Sequence, residues 1–382
     1  MTITEETRSD AAPAPAHGRT SVRAERRTAA GRQPARNQQT NDFFELSSRV
    51  KDAGLLERGA KSYTGRVVAL ILAFAVAGAM LVLLGQSWWQ LLTAVVFGVL
   101  FTQVAFLSHD AAHQQVFSNG RRNEWLARII GNGIVGLSYA WWAKKHGKHH
   151  ANPNTIGKDG DIDPGFIAFV PEDAAERTGF AAWFAKRQGW MLFPLLTMFG
   201  WALHVSAVDA VIRAKKVKHR RAEGALLAVR LIGFPVLVIW VMGPLVGLVF
   251  IAVQVAVFGV YMGASFAPNH KGMPVIPKDA KVDFLQRQVL TSRNIRGGRV
   301  IDWAMGGLNF QIEHHIFPRM PSANLHKVKP IVEEFCRQKQ ISYTETGLIE
   351  SYGIVIRYLN DVGLGQADPM ECPLISQYRP RD

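Results

Sequence analysis

The sequence predicts an all-α integral membrane protein with four transmembrane helices in two hairpins, interfacial helices beside them, and a cytosolic helical metal-binding cap. Three observations lead to that class. Apolar residues make up 48% of the 382 positions and gather in long uncharged blocks instead of amphipathic periods. The excess of 44 Lys and Arg over 30 Asp and Glu is concentrated between those blocks and in the amino-terminal segment, and basic loops of this kind stay on the cytoplasmic side. Seven of the twelve histidines fall into three tight clusters, each spaced as one face of a helix.

Residues 1–45, rich in Ala, Arg, Thr and Pro, read as a disordered basic tail. They lack the apolar core of a signal peptide, so no cleavage is expected. Val67 to Gly85 is uncharged and about 20 residues long, enough to cross a hydrocarbon core. Gln86 and Ser87 interrupt it, Trp88 and Trp89 suit an interface, and Trp88 to Ser108 forms the returning span. Leu226 to Met242 and Val246 to Phe266 make a second hairpin around Gly243-Pro244-Leu245, with Arg230 expected to snorkel back to the surface. Trp190 to Ile212 is almost apolar enough for a fifth span. Complete crossing would place the basic run from Arg213 to Arg221 outside, so this segment is expected to be interfacial or re-entrant. Trp125 to Trp142, with Gly131, Gly133 and Gly136, reads the same way. Residues 346–382 read as a carboxy-terminal cytosolic tail.

On a helix, positions three and four apart share a face. His109 and His113 therefore stand together, as do His146, His149 and His150, and Gln311, His314 and His315 repeat the pattern. Imidazole suits iron, copper, zinc or nickel, and about seven nitrogens are too many for one ion, so two metals are expected. A single HxxxH is weak evidence for metal, but three clusters at one kind of spacing are not independent accidents. The four-span topology puts all three clusters, and His270 just after the fourth span, on the cytoplasmic face. His204, inside an apolar segment, is expected to be structural, bonded to backbone or to Asp209. His17, His219 and His326 have no partners at metal spacing and are expected to be solvated. Gly157 to Pro164 looks like a calcium loop but lacks the closing glutamate.

In order and separation, HDAAH (109–113), HGKHH (146–150) and QIEHH (311–315) resemble the three histidine boxes of the membrane-bound fatty acid desaturases, with the likeness running from about Phe101 to Leu325. The resemblance implies a desaturase domain over residues 46–345, two iron ions, O2 as co-substrate, and His109, His113, His146, His149, His150, His314 and His315 as ligands. His270, in Ala267-Pro268-Asn269-His270-Lys271-Gly272, matches a further ligand position of that family, with Asn269 placed to orient it. Gln311 opening the third box looks like the front-end group, which includes linoleoyl-CoA desaturase-like enzymes. Its amide offers a weak ligand or a supporting hydrogen bond. The acidic turn after the second box is expected to support the centre, whereas Thr291-Ser292-Arg293-Asn294 and Asp302-Trp303 match family segments without an assigned role. Because the histidines are ligands, no catalytic residue beyond the metal centre is expected.

The implied reaction is O2-dependent insertion of a cis double bond into a CoA-linked or lipid-linked acyl chain. Lys144, Lys145 and Lys148 are candidates for a headgroup phosphate. A hydroxylase or ketolase could use the same boxes, and a multi-pass metal transporter is a rival from another class, although transporters place ligands within the bilayer. No His-Pro-Gly-Gly motif of a fused haem domain occurs. Electrons are therefore expected from a separate ferredoxin or an oxidoreductase carrying flavin and iron-sulfur centres. The net charge of +14 is explained by the tail and the cytoplasmic loops without nucleic acid. Cys336 and Cys372 are too few for a structural metal site. The expected location is a bacterial-type plasma membrane, with the metal site and both termini cytoplasmic.

Overall fold

A computed structural model describes residues 35–367. In chain order its helices are α1 (Ala35–Asp52), α2 (Lys61–Leu84), α3 (Gln90–Ala112), α4 (Gly120–Ile130), α5 (Tyr139–Ala151), α6 (Pro171–Ala175), α7 (Gly179–Ala185) and α8 (Leu192–Arg213). There follow α9 (Arg220–Ala228), α10 (Phe234–His270), α11 (Phe284–Leu290), α12 (Gly298–Ala304), α13 (Gln311–Ile316), α14 (Ser322–Gln338) and α15 (Leu348–Gly363). Two three-residue strands, β1 (Asn294–Arg296) and β2 (Glu345–Gly347), pair in parallel.

Four helical runs are long and apolar enough to cross a membrane by length and composition: Lys61–Leu84, Gln90–Ala112, Leu192–Arg213 and Arg220–His270. The last is two arms, 220–242 and 244–270, because Gly243 sits at φ 72° and ψ 165°, outside helical geometry, and Pro244 follows it. A positive φ there requires glycine. The helices α2 and α3 run antiparallel. At one end Gln90 Nε2 donates to Leu81 O at 2.7 Å, and at the other Arg66 Nη2 reaches Gln103 O at 3.2 Å. Gly243 lies against Gln86, so the two turns adjoin at the end remote from the histidines. Phe97, Phe101, Phe250 and Phe258 are buried between α3 and the arms, and Gly98 lets α3 approach Gln254 and Val257.

The segment expected to be interfacial is an unbroken 22-residue helix, α8, that meets the length and composition for crossing. Its contacts with the second arm run along Leu196, Gly200 and His204 on one side and Val255, Gly259 and Gly263 on the other. Both are i, i+4 ridges, the packing class that crosses at about 50° rather than side by side. A Cβ at Gly259 would collide with the backbone of Leu196 and Gly200. Gly259→Val should therefore drive the two helices apart, with an expected loss of folded, monodisperse protein in detergent on size exclusion, whereas Gly78→Val on α2, where a Cβ meets open space, should behave as the parent.

Three sequence expectations are corrected here. Trp125 to Trp142 is not one helix: α4 gives way to a π-helical turn at Gly131–Val135, and Gly136 at φ 88° ends it beside His204. Arg230 does not snorkel. It sits in a second π-helical turn, Val229–Gly233, and is 4% exposed, because the wider turn swings its guanidinium over Phe101 and Phe234, 4.1 and 4.7 Å from the ring centroids. Nor does the stretch read as a disordered amino-terminal tail lack structure throughout the described residues, and the carboxy-terminal stretch carries a helix. The helix α1 begins at Ala35 and buries Leu46 and Val50, and α15 buries Ser351, Val355, Leu359 and Val362 at helical period. Residues 1–34 and 368–382, including His17 and Cys372, lie outside the described residues.

Candidate metal centre

Each histidine cluster sits at a helix end that tertiary contacts hold in place. His109 occupies the last turn of α3 and His113 follows it, while neighbouring Asp110 accepts from Ser322 Oγ at 2.8 Å and Arg66 Nη1 at 3.4 Å. The second cluster lies on α5, whose first turn is capped by Ser138 Oγ accepting from Trp141 N at 3.3 Å. His270 is the last residue of α10. The end of that helix is fixed by Arg293, which donates from Nε and Nη2 to Pro268 O at 3.0 and 2.6 Å and from Nη2 to Lys271 O at 2.9 Å. The third cluster forms α13, anchored through Asn294, whose Oδ1 accepts from Ile312 N at 2.9 Å and whose Nδ2 donates to Glu313 at 2.7 Å.

These elements bring eight histidines into two adjoining groups: His109, His113, His146, His150 and His314, and then His149, His270 and His315, with ligand atoms within 4.8 Å of one another in each. In the first group His146 Nε2 stands 3.2 Å from His109 Nε2, 2.9 Å from His113 Nε2 and 3.0 Å from His150 Nε2. A neutral imidazole has one N–H and one lone pair, so three such contacts at one nitrogen are not satisfiable as hydrogen bonds. Two nitrogens bound at right angles roughly 2.1 Å from one ion stand about 3.0 Å apart, which is the spacing observed. Nε2 of His314 and of His315 is likewise buried without a partner among the described residues. The donor set fits cations.

The outer ring nitrogens fix which face each imidazole presents. Nδ1 of His149 donates to Asp159 Oδ2 at 2.9 Å, Nδ1 of His270 to Thr291 O at 2.9 Å, and Nδ1 of His315 to Gln288 Oε1 at 3.0 Å. All three leave Nε2 as the free donor atom, the usual arrangement behind metal-bound histidines. Burial, with the neighbouring imidazoles second, holds His146, His150, His314 and His315 well below the ordinary histidine range, so they are neutral and able to ligate. Burial pushes the Glu313 carboxyl up to about 7 despite hydrogen bonds from Tyr343 and Asn294.

Asp159 and Asp161 also approach His149, but through Nδ1, the nitrogen turned away from the trio, so Asp159 orients His149 rather than forming a third site. Burial alone would raise Asp159, and the His149 hydrogen bond together with the nearby Lys271 ammonium outweighs it, holding the carboxyl below its ordinary value. Its oxygens accept from His149, Asn154 N at 2.8 Å and Asp161 N at 3.0 Å. An amide in its place would set an NH2 against one of these donors. Asp159→Asn should weaken metal retention about 10-fold or more, measured as metal per protein after dialysis against a graded chelator; unchanged retention would contradict the orienting role.

Gln311 stands beside the trio, its Nε2 2.9 Å from His270 Nε2 and its Oε1 accepting from Asn269 Nδ2 at 3.1 Å. His204 is apart from the centre. It donates through Nδ1 to Gly136 O at 3.0 Å, and Asp209 instead pairs with Arg213 at 3.0 Å. His219 and His326 are exposed. Asp302 accepts from Asn309 Nδ2 at 2.8 Å and thereby holds the turn before the third cluster. Gln288, Thr291 and Asn294 carry no spacing signal of their own, and their supporting roles emerge only from the packing.

A cavity of about 330 Å³ opens onto His146, His149, His270 and Gln311. Its deeper walls are apolar, with Leu196, Phe199, Leu203, Met262 and Phe266, and its polar side carries Lys145, Asp161 and Lys271. Lys145 pairs with Asp161 at 2.6 Å, while Lys144 and Lys148 are exposed.

An apolar cavity leading to a many-imidazole cluster, carried by long apolar helices, fits the class of membrane-associated metalloenzymes. Residues 86–347, more than half of the chain, match the family model described as Fatty acid desaturase, and the chain belongs to that family. It is 28% identical over 336 residues to an Acyl-lipid (9-3)-desaturase of Physcomitrium patens, covering 86% of this chain and 63% of that protein. It is 27% identical over 341 residues to a Delta(6)-fatty-acid desaturase of Caenorhabditis elegans, covering 84% and 74%, and 26% identical over 344 residues to a Delta(8)-fatty-acid desaturase of Helianthus annuus, covering 86% and 74%.

Proposed function

We propose that this protein is an O2-dependent acyl desaturase that inserts a cis double bond into a CoA-linked or lipid-linked chain at a histidine-held pair of irons. The observation that carries this reading is the convergence of eight imidazoles from four separate segments into groups of five and three beside one apolar cavity. His109, His113, His146, His150 and His314 would hold one ion, and His149, His270 and His315 the other, with Gln311 beside the second as a weak ligand or through its hydrogen bond from Asn269. Bound iron would supply, from O2 and two electrons, the oxidising power to take two hydrogens from adjacent methylenes, with two protons completing the water formed.

The chain's own residues bind, align and seal. Phe199, Leu203, Met262 and Phe266 provide an apolar path that excludes water along the acyl chain, and Lys145 and Lys271 sit where an anionic headgroup would lie. Uncharged turns at Gln86 and Gly243, opposite the histidines, support two membrane hairpins with the metal face in the cytoplasm; both termini would lie on that side, and the membrane would be a plasma membrane of bacterial type. The basic run from Arg213 to Arg221, directly after α8, supports an interfacial placement for that helix. Electrons would come from a separate ferredoxin or flavin and iron-sulfur oxidoreductase. Relatives named as Delta(6)- and Delta(8)-desaturases support a new double bond toward the carboxyl end of the chain.

Expression in a host lacking unsaturated fatty acids, fed defined acyl chains, tests the proposal. Chromatography with mass spectrometric location of double bonds should show a new cis alkene. Hydroxylated or unchanged chains would overturn it.

A further inference from the structure

A second cavity, of about 480 Å³, lies away from the eight clustered histidines, between α8 and the two arms of Arg220–His270. Its origin is the oblique crossing already described. Past the contact of Gly200 with Val255, the carboxy-terminal half of α8 diverges from the second arm, and the wedge closes again where Val211 meets Gly224. One wall is Trp201, Val205, Val208 and Ile212 of α8, and the opposite wall is Ile251 and Val255. Among the described residues these α8 side chains face outward, with Val205 66% exposed, so the groove opens toward the surroundings of the helices.

The inner end of this apolar groove carries Arg230. Its guanidinium is 4% exposed and, among the described residues, makes one hydrogen bond, Nη2 to the neutral Gln254 Oε1 at 3.0 Å. Nε is buried with no partner, and no carboxylate lies within ion-pair distance among the described residues. The faces of Phe101 and Phe234 offset part of the charge but cannot accept the directed N–H groups. The same groove is lined by His204, whose Nδ1 is committed to Gly136 O and whose Nε2 is buried without a partner. Among the described residues the one carboxylate lining the groove, Asp209, is already paired with Arg213 at the rim. An uncompensated cation at the end of an apolar channel calls for an anion attached to an apolar chain.

We propose that this groove binds the oxyanion of an anionic amphiphile, a carboxylate or phosphate held by Arg230, with the acyl chain lying between Val205, Val208, Ile251 and Val255. The site is separate from the acyl path to the metal centre, and the proposal rests on the membrane reading for the supply of such lipids. The basic run from Lys215 to Arg221, directly after α8, would gather anionic lipid near the groove's rim.

The test uses the full-length protein in phosphatidylcholine vesicles doped with one of three chain-labelled spin probes: stearic acid at alkaline pH, phosphatidylglycerol, or phosphatidylcholine as the neutral control. The motionally restricted fraction should be at least about threefold larger for an anionic probe than for phosphatidylcholine. Selection of stearate alone identifies a free carboxylate, selection of phosphatidylglycerol alone a lipid phosphate, and both a site for either oxyanion. Arg230→Gln should bring the anionic probe down to the control. Val208→Trp, an exposed position that fills the groove while keeping Arg230, should do the same and carries the test if the arginine variant does not fold. Equal restriction of all three probes, or anionic selectivity retained in Val208→Trp, would overturn the proposal. Failure of the protein to enter the vesicles would instead contradict the membrane reading.

Discussion

Replacing His146 by Ala is expected to abolish product formation, a loss of more than about 1,000-fold, or roughly 4 kcal/mol of transition-state stabilisation, and to lower bound metal in the same preparation. The size follows from position. His146 Nε2 is the atom that lies within 3.2 Å of three other imidazole nitrogens, so its removal opens the first group at its centre instead of trimming an edge. A neighbouring water does not replace the imidazole well, because Trp142 stacks on the His146 ring at 4.3 Å and would border the space left behind. Metal per protein by atomic emission, measured beside desaturated product, separates loss of ligand from loss of fold. Full activity with full metal in the Ala variant would contradict the assignment of this nitrogen.

Glu223→Ala should cost about 3 kcal/mol of stability, the lower end of what breaking a buried ion pair costs. Glu223 is fully buried. One carboxylate oxygen accepts from Arg128 Nε and Ala140 N, both at 3.1 Å, and the other from Ser138 Oγ at 2.7 Å. Truncation orphans three donors at once. Arg128 keeps Glu124 at 3.0 Å and the faces of Trp125 and Tyr139, which keeps the loss below the upper end. Since Ser138 and Ala140 begin α5, the helix carrying His146, His149 and His150, metal content should fall along with the thermal midpoint in detergent. Glu223→Gln, which retains two acceptor positions, should lose less. An unchanged midpoint in the Ala variant would show that the network does not hold α5.

The histidines were legible because metal ligation needs nitrogen donors at helical spacing, and that spacing is local. HDAAH, HGKHH and QIEHH each carry their pattern within five residues, so the strongest signal in the chain needs no tertiary information. Length and hydropathy are local in the same way, which is why the apolar runs at α2, α3 and the two arms could be bounded to within a few residues of the helices found. Less legible were the supports. Gln288 joins the two neighbouring clusters, accepting from His315 and donating to His150 O at 3.0 Å, yet a glutamine in a short helix carries no mark of that role.

The largest departures came where geometry depends on a partner far along the chain. Arg230 is buried rather than snorkelled because a π-helical turn aims it at Phe101 on another helix, and the apolar stripe of α15 finds its surface on α8, α10 and the loop before α6. By itself the sequence determined the apolar helices, the helical spacing of the histidine clusters and their common end of the molecule, all set by periodicity and composition within short windows. Only the tertiary structure decided how eight imidazoles divide into five and three, which ring nitrogen each presents, and where the cavities open, because those depend on crossing angles and on hydrogen bonds between residues more than a hundred positions apart.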